Sequence, residues 1–442
     1  MTSTISLSLW ERAGLRVSAL VAATLLLASC GGTAAPASPA ARSAAAAPTK
    51  SPIKIGSLAD TSSTFAVLGA ETHVATDLVA GQINAAGGID GHPLEVTYAD
   101  PKSDPAQALQ LATQLVQRDG VDVLMGANGS AECLGVAQLA PKLGVVYMPT
   151  AGCAADEFVT KNCNTNTFRV SLATTQSLNA ETATLVSKYG KNWGVLYPDY
   201  AFGQSQLSSF QAALQPLGGQ VKLPIATPLN ETNLNPYISK IPTDGSIDGL
   251  LDAQGGADLV RGLQALQQFG VLKKVPIFLG SGGREFFGGV YPAAIDGVLL
   301  GGLEPSKAPA SYPALQAFQK AYADQAAKED KALMNILGGA DKATPGVTLG
   351  YQAYLAMTAL KNGMAQSHFA GKADTAKLID ALTNLKMPQG PDSPTGPFVM
   401  NPTDHQGKAP NFLMKVNVAQ QGEDIVDVTP PDKIANVGSC HV

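Results

Sequence analysis

Gly81-Gln82-Ile83-Asn84-Ala85-Ala86-Gly87-Gly88-Ile89-Asp90-Gly91, running on to Leu94-Glu95-Val96 and Asp100, fixes where a helix ends and a strand begins. Just before it Ala75, Leu78, Val79 and Ile83 recur on one helical face, so a helix is expected over 66–86. Gly87-Gly88 stops that helix, because glycine adopts the backbone angles on which helices end. An extended run over 94–98 follows. Asp104-Pro105-Ala106-Gln107 then opens a second helix, with Asp104 as N-cap, Pro105 at the first helical position and Gln107 as a capping side chain. Ala108, Leu111, Ala112, Leu115 and Val116 carry its apolar stripe. With the apolar run over 53–58 ahead of both helices, the local order is strand, helix, strand, helix.

The same alternation continues outward. Strands are expected over 121–125, 145–148, 193–197, 221–225, 247–252, 275–279 and 298–301. Helices are expected over 132–143, 175–189, 203–217, 234–241, 257–269, 312–327 and 347–363, with a short strand pair near Phe398 and over 412–418. A β-α-β-α order means parallel sheets covered by helices. There are more strands than one sheet comfortably holds, so the expectation is an α/β protein of two Rossmann-like lobes with parallel sheets.

Composition narrows the function. The chain has 442 residues, 45% of them hydrophobic, with 30 Lys+Arg against 35 Asp+Glu and a net charge of −5. It can bury a large core, but it offers no basic surface for a phosphate backbone and no helix-turn-helix or RNA-binding signature, so no nucleic-acid partner is expected. The cysteines form no C-x-x-C pair, and His73, His92, His368, His405 and His441 lie far apart, so no metal site and no cofactor are expected. G-x-S-x-G, H-E-x-x-H and a Walker phosphate loop are all missing, and no enzyme is expected.

The amino-terminal segment reads as an address. Arg12 and Arg16 precede an apolar run over 17–27 of about eleven residues, where a spanning helix needs roughly twenty. It reads as the apolar region of an export signal over 1–29. Leu27-Ala28-Ser29-Cys30 resembles the bacterial lipobox, which implies that Cys30 becomes a lipidated first residue. The following Gly, Ala, Pro, Ser and Thr residues bury too little apolar area to offset chain entropy, so 30–51 is read as a lipid-bearing flexible tether. Export to the periplasm or cell exterior follows, with the bilayer as a partner through Cys30.

The opening stretch, together with Asp104-Pro105, Val123-Leu124-Met125-Gly126, Phe168-Arg169, Asp199-Tyr200-Ala201-Phe202-Gly203 and Thr395-Gly396-Pro397-Phe398, resembles the branched-chain amino-acid type of periplasmic solute-binding protein, the receptor subunit of an ABC importer. The resemblance covers roughly residues 52–420. It implies a type I periplasmic binding fold whose lobes are joined by a hinge of three crossovers. One lobe would comprise 52–172 plus 304–410, the other 173–303 plus 411–442. It also implies capture of an amino acid or related small carboxylate or amide in the interlobe cleft, and delivery by a monomer to a membrane permease. Two alternatives stay open: a sensor of the same fold signalling to a membrane receptor, and a binder of aromatic or aliphatic acids lacking an amine.

Ligands of open α/β sheets sit beyond the carboxyl ends of the strands, which selects the contact loops. Asn128, Gly129 and Ser130 follow one strand and can hold an anionic group through backbone N–H groups and a hydroxyl; Ser130 falls where the resembled family uses a hydroxyl for the ligand carboxylate. Thr150, Ala151 and Gly152 form the second wall, with Gly152 where the family commonly has a hydroxyl residue. Tyr200 and Phe202 stand where the family packs an aromatic on the solute. Gln254 follows a further strand. Ser281 and Gly282 lie where the family carries an acid for the ligand's ammonium. Either Asp252 or Glu285 substitutes for that acid, or the solute has no amine. The loop over 61–65 is a third candidate wall, and Arg284 a candidate for a second carboxylate. Cys133, Cys153, Cys163 and Cys440 form an even set that an exported protein can oxidise; Cys153 with Cys163 is the preferred disulfide among three possible pairings, leaving Cys133 with Cys440.

Overall fold

The computed structural model describes residues 48–343, 349–440 and 442. The expected signal over 1–29, Cys30 and the tether up to residue 47 lie outside the described residues. At the described end of that segment, the Thr49 and Lys50 amides both donate to Gly91 O at 3.1 and 3.0 Å.

The first sheet is parallel, with strands β1 (Ile53–Leu58), β2 (Leu94–Ala99), β3 (Val123–Gly126) and β4 (Val146–Pro149) in the order β2-β1-β3-β4. Its crossovers are α1 (Ala66–Ala85), α2 (Pro105–Gln117) and α3 (Ser130–Leu143). After α4 (Glu157–Thr160) and α5 (Thr174–Tyr189) the chain builds β5 (Asn192–Pro198), β6 (Gln220–Thr227), β7 (Gly249–Asp252), β8 (Ile277–Leu279) and β9 (Leu299–Gly302), crossing through α6 (Ala201–Leu214), α7 (Asn235–Ile238) and α8 (Gly256–Gln268). Helices α9 (Pro313–Ala326), α10 (Lys331–Ile336), α11 (Leu349–Ser367) and α12 (Thr375–Thr383) follow, then a small antiparallel sheet of β10 (Lys386–Met387), β11 (Phe398–Met400) and β12 (Gly407–Lys408). Finally β13 (Asn411–Asn417) and β14 (Gly422–Thr429) complete the second sheet, whose order is β14-β13-β9-β8-β7-β5-β6.

The opening stretch folds for local reasons. Gly88 N reaches back to Ile83 O at 2.9 Å to close α1. Asn84 then uses both ends of its amide on the start of β2, donating to Leu94 O at 2.9 Å and accepting from Leu94 N at 2.7 Å. Ile89 and His92 exchange two backbone bonds of 2.8 Å around Asp90 (φ 50°) and Gly91 (φ 88°), a tight turn with both central residues left-handed. At α2, Asp104 Oδ1 accepts from Ala106 N and Gln107 N, as expected of an N-cap, while the Gln107 amide goes to Asp100 O.

Successive strand residues feed opposite cores, so each sheet is covered on both faces. In β3, Val123 and Met125 pack with the α1 and α11 side, whereas Leu124 packs with α2 and α3. In β8, Ile277 and Leu279 join one core and Phe278 the other.

Three expectations are corrected. The second sheet is mixed, because β13 runs antiparallel to both β9 and β14. Phe398 and the run over 412–418 do not pair; the first lies in the small sheet and the second beside β9. The disulfides are Cys133–Cys153 and Cys163–Cys440, with Cα atoms 6.0 and 6.1 Å apart, and not Cys153–Cys163 with Cys133–Cys440. Register explains the first pair: Gly126 of β3 lies opposite Pro149 of β4, so the first turn of α3, which carries Cys133, and the loop carrying Cys153 stand beyond the same edge of the sheet. The segment between Cys153 and Cys163 contains α4, and the carboxyl-terminal tail returns there, with Cys440 N donating to Val159 O at 3.3 Å.

Candidate functional site

The register that builds the sheets also aligns their carboxyl ends. Leu58 pairs with Gly126, and Gly126 with Pro149, so the loops after β1, β3 and β4 leave one edge together. Leu196, Asp252 and Leu279 are aligned in the same way in the second sheet. These two sets of loops meet. The Thr64 hydroxyl donates to Asn230 Oδ1, Phe65 and Leu68 pack in the core that contains Leu259, and Ser209 Oγ donates to Asp156 Oδ2 at 2.7 Å.

Between them lies a cavity of about 70 Å³. Gly152 and Ala154 wall it from the first sheet; Phe202, Gln206, Gly280 and Ser281 wall it from the second. Of the residues expected from the sequence, Gly152, Phe202 and Ser281 line this cavity. The others are not among its lining residues.

Asn128 ties three loops together: it accepts from Asp60 N at 3.0 Å and donates to Ala151 O at 3.3 Å and Thr72 Oγ1 at 3.2 Å. Gly129 caps α3, and its N–H is taken by Glu132 Oε2 at 2.7 Å. Ser130 donates to Gly152 O at 3.2 Å and accepts from Ala155 N at 3.3 Å. Thr150 shares a hydroxyl contact of 3.3 Å with Thr72, and Ala151 is fully buried. Tyr200 is half-buried with its ring 6.1 Å from that of Phe202. Gln254 is buried and donates to Thr227 Oγ1 at 3.4 Å. In the loop over 61–65, Thr61 and Ser62 both donate to Asp100 Oδ2.

Ser130 is therefore a brace for the cavity wall. Ser130→Ala leaves Ala155 N without its acceptor and is expected to lower unfolding free energy by about 1–2 kcal/mol. Urea denaturation checks this; an unchanged midpoint with weakened solute binding would instead place the hydroxyl on the solute.

Two glycines explain departures from the resembled pattern. Gly152 has φ +90°, and a Cβ there would sit 2.1 Å from Asn128 O. Gly282 has φ +86°, and a Cβ would meet the Phe286 ring at 2.3 Å. Neither a hydroxyl residue at 152 nor an acid at 282 fits this backbone. Asp252 and Glu285, the alternative acids, are buried and do not line the cavity; Arg284 Nη1 donates to Gln421 O at 2.7 Å.

The acid that does line it is Glu181 on α5, beside Asn411 and Gln352. Burial drives its carboxyl up to about 8, against the lowering effect of Asn411, whose Nδ2 donates to Glu181 Oε1 at 2.6 Å. The sequence carries a signal for it: Glu181 stands between Leu178 and Leu185 on the apolar face of a helix, where a carboxyl is out of place. Behind the first-sheet loops, burial first and then the Asp60 charge raise Glu132, and burial raises Asp60. Tyr200 is raised by burial and by Asp258 and Glu132. Away from the cavity, His73, Asp77 and Glu329 bring one imidazole and two carboxylates within 4.8 Å of one another, the one such donor set among the described residues. Its members come from α1 and from beyond α9, so sequence spacing could not show it.

The family profile described as periplasmic binding protein matches residues 52–423. A Leu/Ile/Val-binding protein homolog 6 of Brucella abortus (strain 2308) is 29% identical over 195 residues, 44% of this chain and 49% of the relative. A homolog 7 from the same strain is 26% identical over 253 residues, 55% of this chain and 62% of the relative. These matches therefore span about half to three-fifths of the curated relatives. Among solved structures, a periplasmic binding protein from Burkholderia mallei superposes with TM-score 0.75 at 20% identity, covering 88% of this chain and 98% of that one. An ABC transporter solute-binding protein from R. palustris in complex with benzoate gives TM-score 0.73 at 21% identity, covering 86% and 97%. At these identities the superpositions show the fold. No helix among the described residues is long and apolar enough to cross a membrane.

Proposed function

The chain belongs to the periplasmic binding protein family, and from that premise we propose that it is the extracytoplasmic receptor of an ABC importer, capturing a small solute between two lobes and handing it to the membrane permease. The observation that carries this reading is the cavity, which takes walls from the strand-end loops of both sheets and is therefore completed only when the two halves meet. With lobes of 52–172 plus 304–410 and 173–303 plus 411–442, the first would hold the parallel four-stranded sheet and the small antiparallel one, the second the seven-stranded sheet, and opening about the crossovers between them would release the solute. The solute class is an amino acid or related small carboxylate or amide. Leu27-Ala28-Ser29-Cys30 supports export and lipid attachment at Cys30, which would hold a monomeric receptor on the outer face of the membrane beside its permease. Binding and release require no bond making, and no enzymatic step is assigned.

A thermal-shift panel of amino acids, amides, aliphatic acids and aromatic acids tests the reading. A true solute at a hundred times its dissociation constant adds about 2.7 kcal/mol of stability and raises the melting temperature accordingly. A protein that no small solute stabilises would overturn it.

A further inference from the structure

We infer that the cavity selects solutes carrying an ammonium group, with Glu181 as the residue that receives it. This rests on the receptor reading above and names its substrate class. Among the described residues the lining side chains include no Lys, Arg or His, so none of them supplies a cation to balance a solute carboxylate placed at this point. Acceptor oxygens, by contrast, are in surplus. Among the described residues Glu181 meets one hydrogen-bond donor, Asn411 Nδ2, on Oε1. Gln206 donates through Nε2 to Gly280 O at 3.2 Å, which leaves its Oε1 buried without a donor, and Gln352 Oε1 is buried without one as well. Gln206 and Gln352 are 4% and 7% exposed, so bulk water does not satisfy them. Buried acceptors facing a cavity call for a donor-rich occupant.

Space has been left for Glu181. A Cβ at Gly301 would stand 2.0 Å from its Oε1, so the glycine of β9 allows the carboxyl its position. The elements packed around it contribute Gly301 from β9 and Asn411 from β13; among the described residues its shift comes from burial, opposed by the Asn411 amide, with no charged neighbour contributing. Around pH 7 the empty cavity therefore holds mainly the protonated acid, whereas an ammonium beside it favours the carboxylate. Binding is then a balanced exchange: the ammonium keeps its three protons, the Glu181 carboxyl loses one, and that proton passes to the buffer.

Isothermal titration of the full mature chain with matched probes tests this. L-leucine is compared with 2-hydroxy-4-methylpentanoate, and benzylamine with benzoate, followed by a wider set of amino acids and primary amines against the corresponding acids. The expected result is binding confined to amine-bearing probes, about one proton released per probe at pH 7 when heats are compared in buffers of different ionisation enthalpy, and about 100-fold weaker binding by Glu181→Gln. The glutamine retains the Asn411 contact, and the proton count is taken on the unmutated protein, so the test does not depend on the variant folding. Tight binding of the amine-free acids, or amine binding without proton release, overturns the inference and leaves the receptor reading intact. No binding by any probe overturns both.

Discussion

Arg169→Met is expected to lower the unfolding free energy by about 3–5 kcal/mol, because it removes a buried cation that holds the back of the cavity wall. The Arg169 side chain is fully buried. Nη1 donates to Cys153 O and Ala155 O, each at 2.8 Å, and Nε donates to Gln406 Oε1 at 2.6 Å. Its guanidinium carbon lies 4.9 Å from the centre of the Phe158 ring. Gln406 in turn donates to Ser171 O at 2.6 Å, so one side chain joins the loop after β4, the crossover towards the second sheet and a segment 237 residues away. Burial lowers the guanidinium to about 10, partly offset by Asp156 and Asp404, so it remains charged at neutral pH. Methionine fills the volume but leaves Cys153 O and the Gln406 amide oxygen without the donor they had and Ala155 O with only the Phe158 N–H. Lysine keeps the charge but loses the planar fork, and is expected to recover only part of the stability. Urea unfolding followed by circular dichroism measures both; a midpoint for Arg169→Met equal to that of the native chain would contradict the role assigned to Arg169.

Replacing Cys163 and Cys440 together by Ser is expected to cost about 2–5 kcal/mol. This cross-link spans 277 residues, against 20 for Cys133–Cys153, and closing a longer loop restricts the unfolded chain more. In the folded protein it fastens the tail that Cys440 N, Ser439 Oγ and Ala435 O otherwise hold through single hydrogen bonds. The double variant should therefore unfold at lower urea and be cut by protease within residues 435–442 before the body of the protein is. A peptide map of the oxidised native protein checks the pairing itself. Peptides joining Cys133 to Cys153 and Cys163 to Cys440 are expected; a Cys153–Cys163 peptide would refute the assignment.

Much of the site's frame was legible without coordinates. The strand over 53–58, the first helix and the Asp104 cap are local objects, governed by periodicity and by side chains within a turn of one another. The alternation of strands and helices placed the candidate loops at the carboxyl ends of strands, where Gly152, Phe202 and Ser281 now line the cavity. The same logic points to Asn128, Ser130 and Thr150, but these support the wall, because their hydroxyl and amide groups are taken up by neighbouring loops and by Thr72 of α1. Nothing local distinguishes a hydroxyl that faces a solute from one that braces a backbone.

The order of residues along the chain established its class: an α/β protein whose candidate loops lie at the ends of strands. It did so because helix and strand periods, caps and glycine stops act over a few residues. Only the tertiary structure decided which cysteines pair, that β13 enters the second sheet antiparallel, and that Glu181 stands in the cavity beside Asn411, 230 positions away. Those facts depend on which distant segments the packed sheets bring together, and residue spacing carries no record of that.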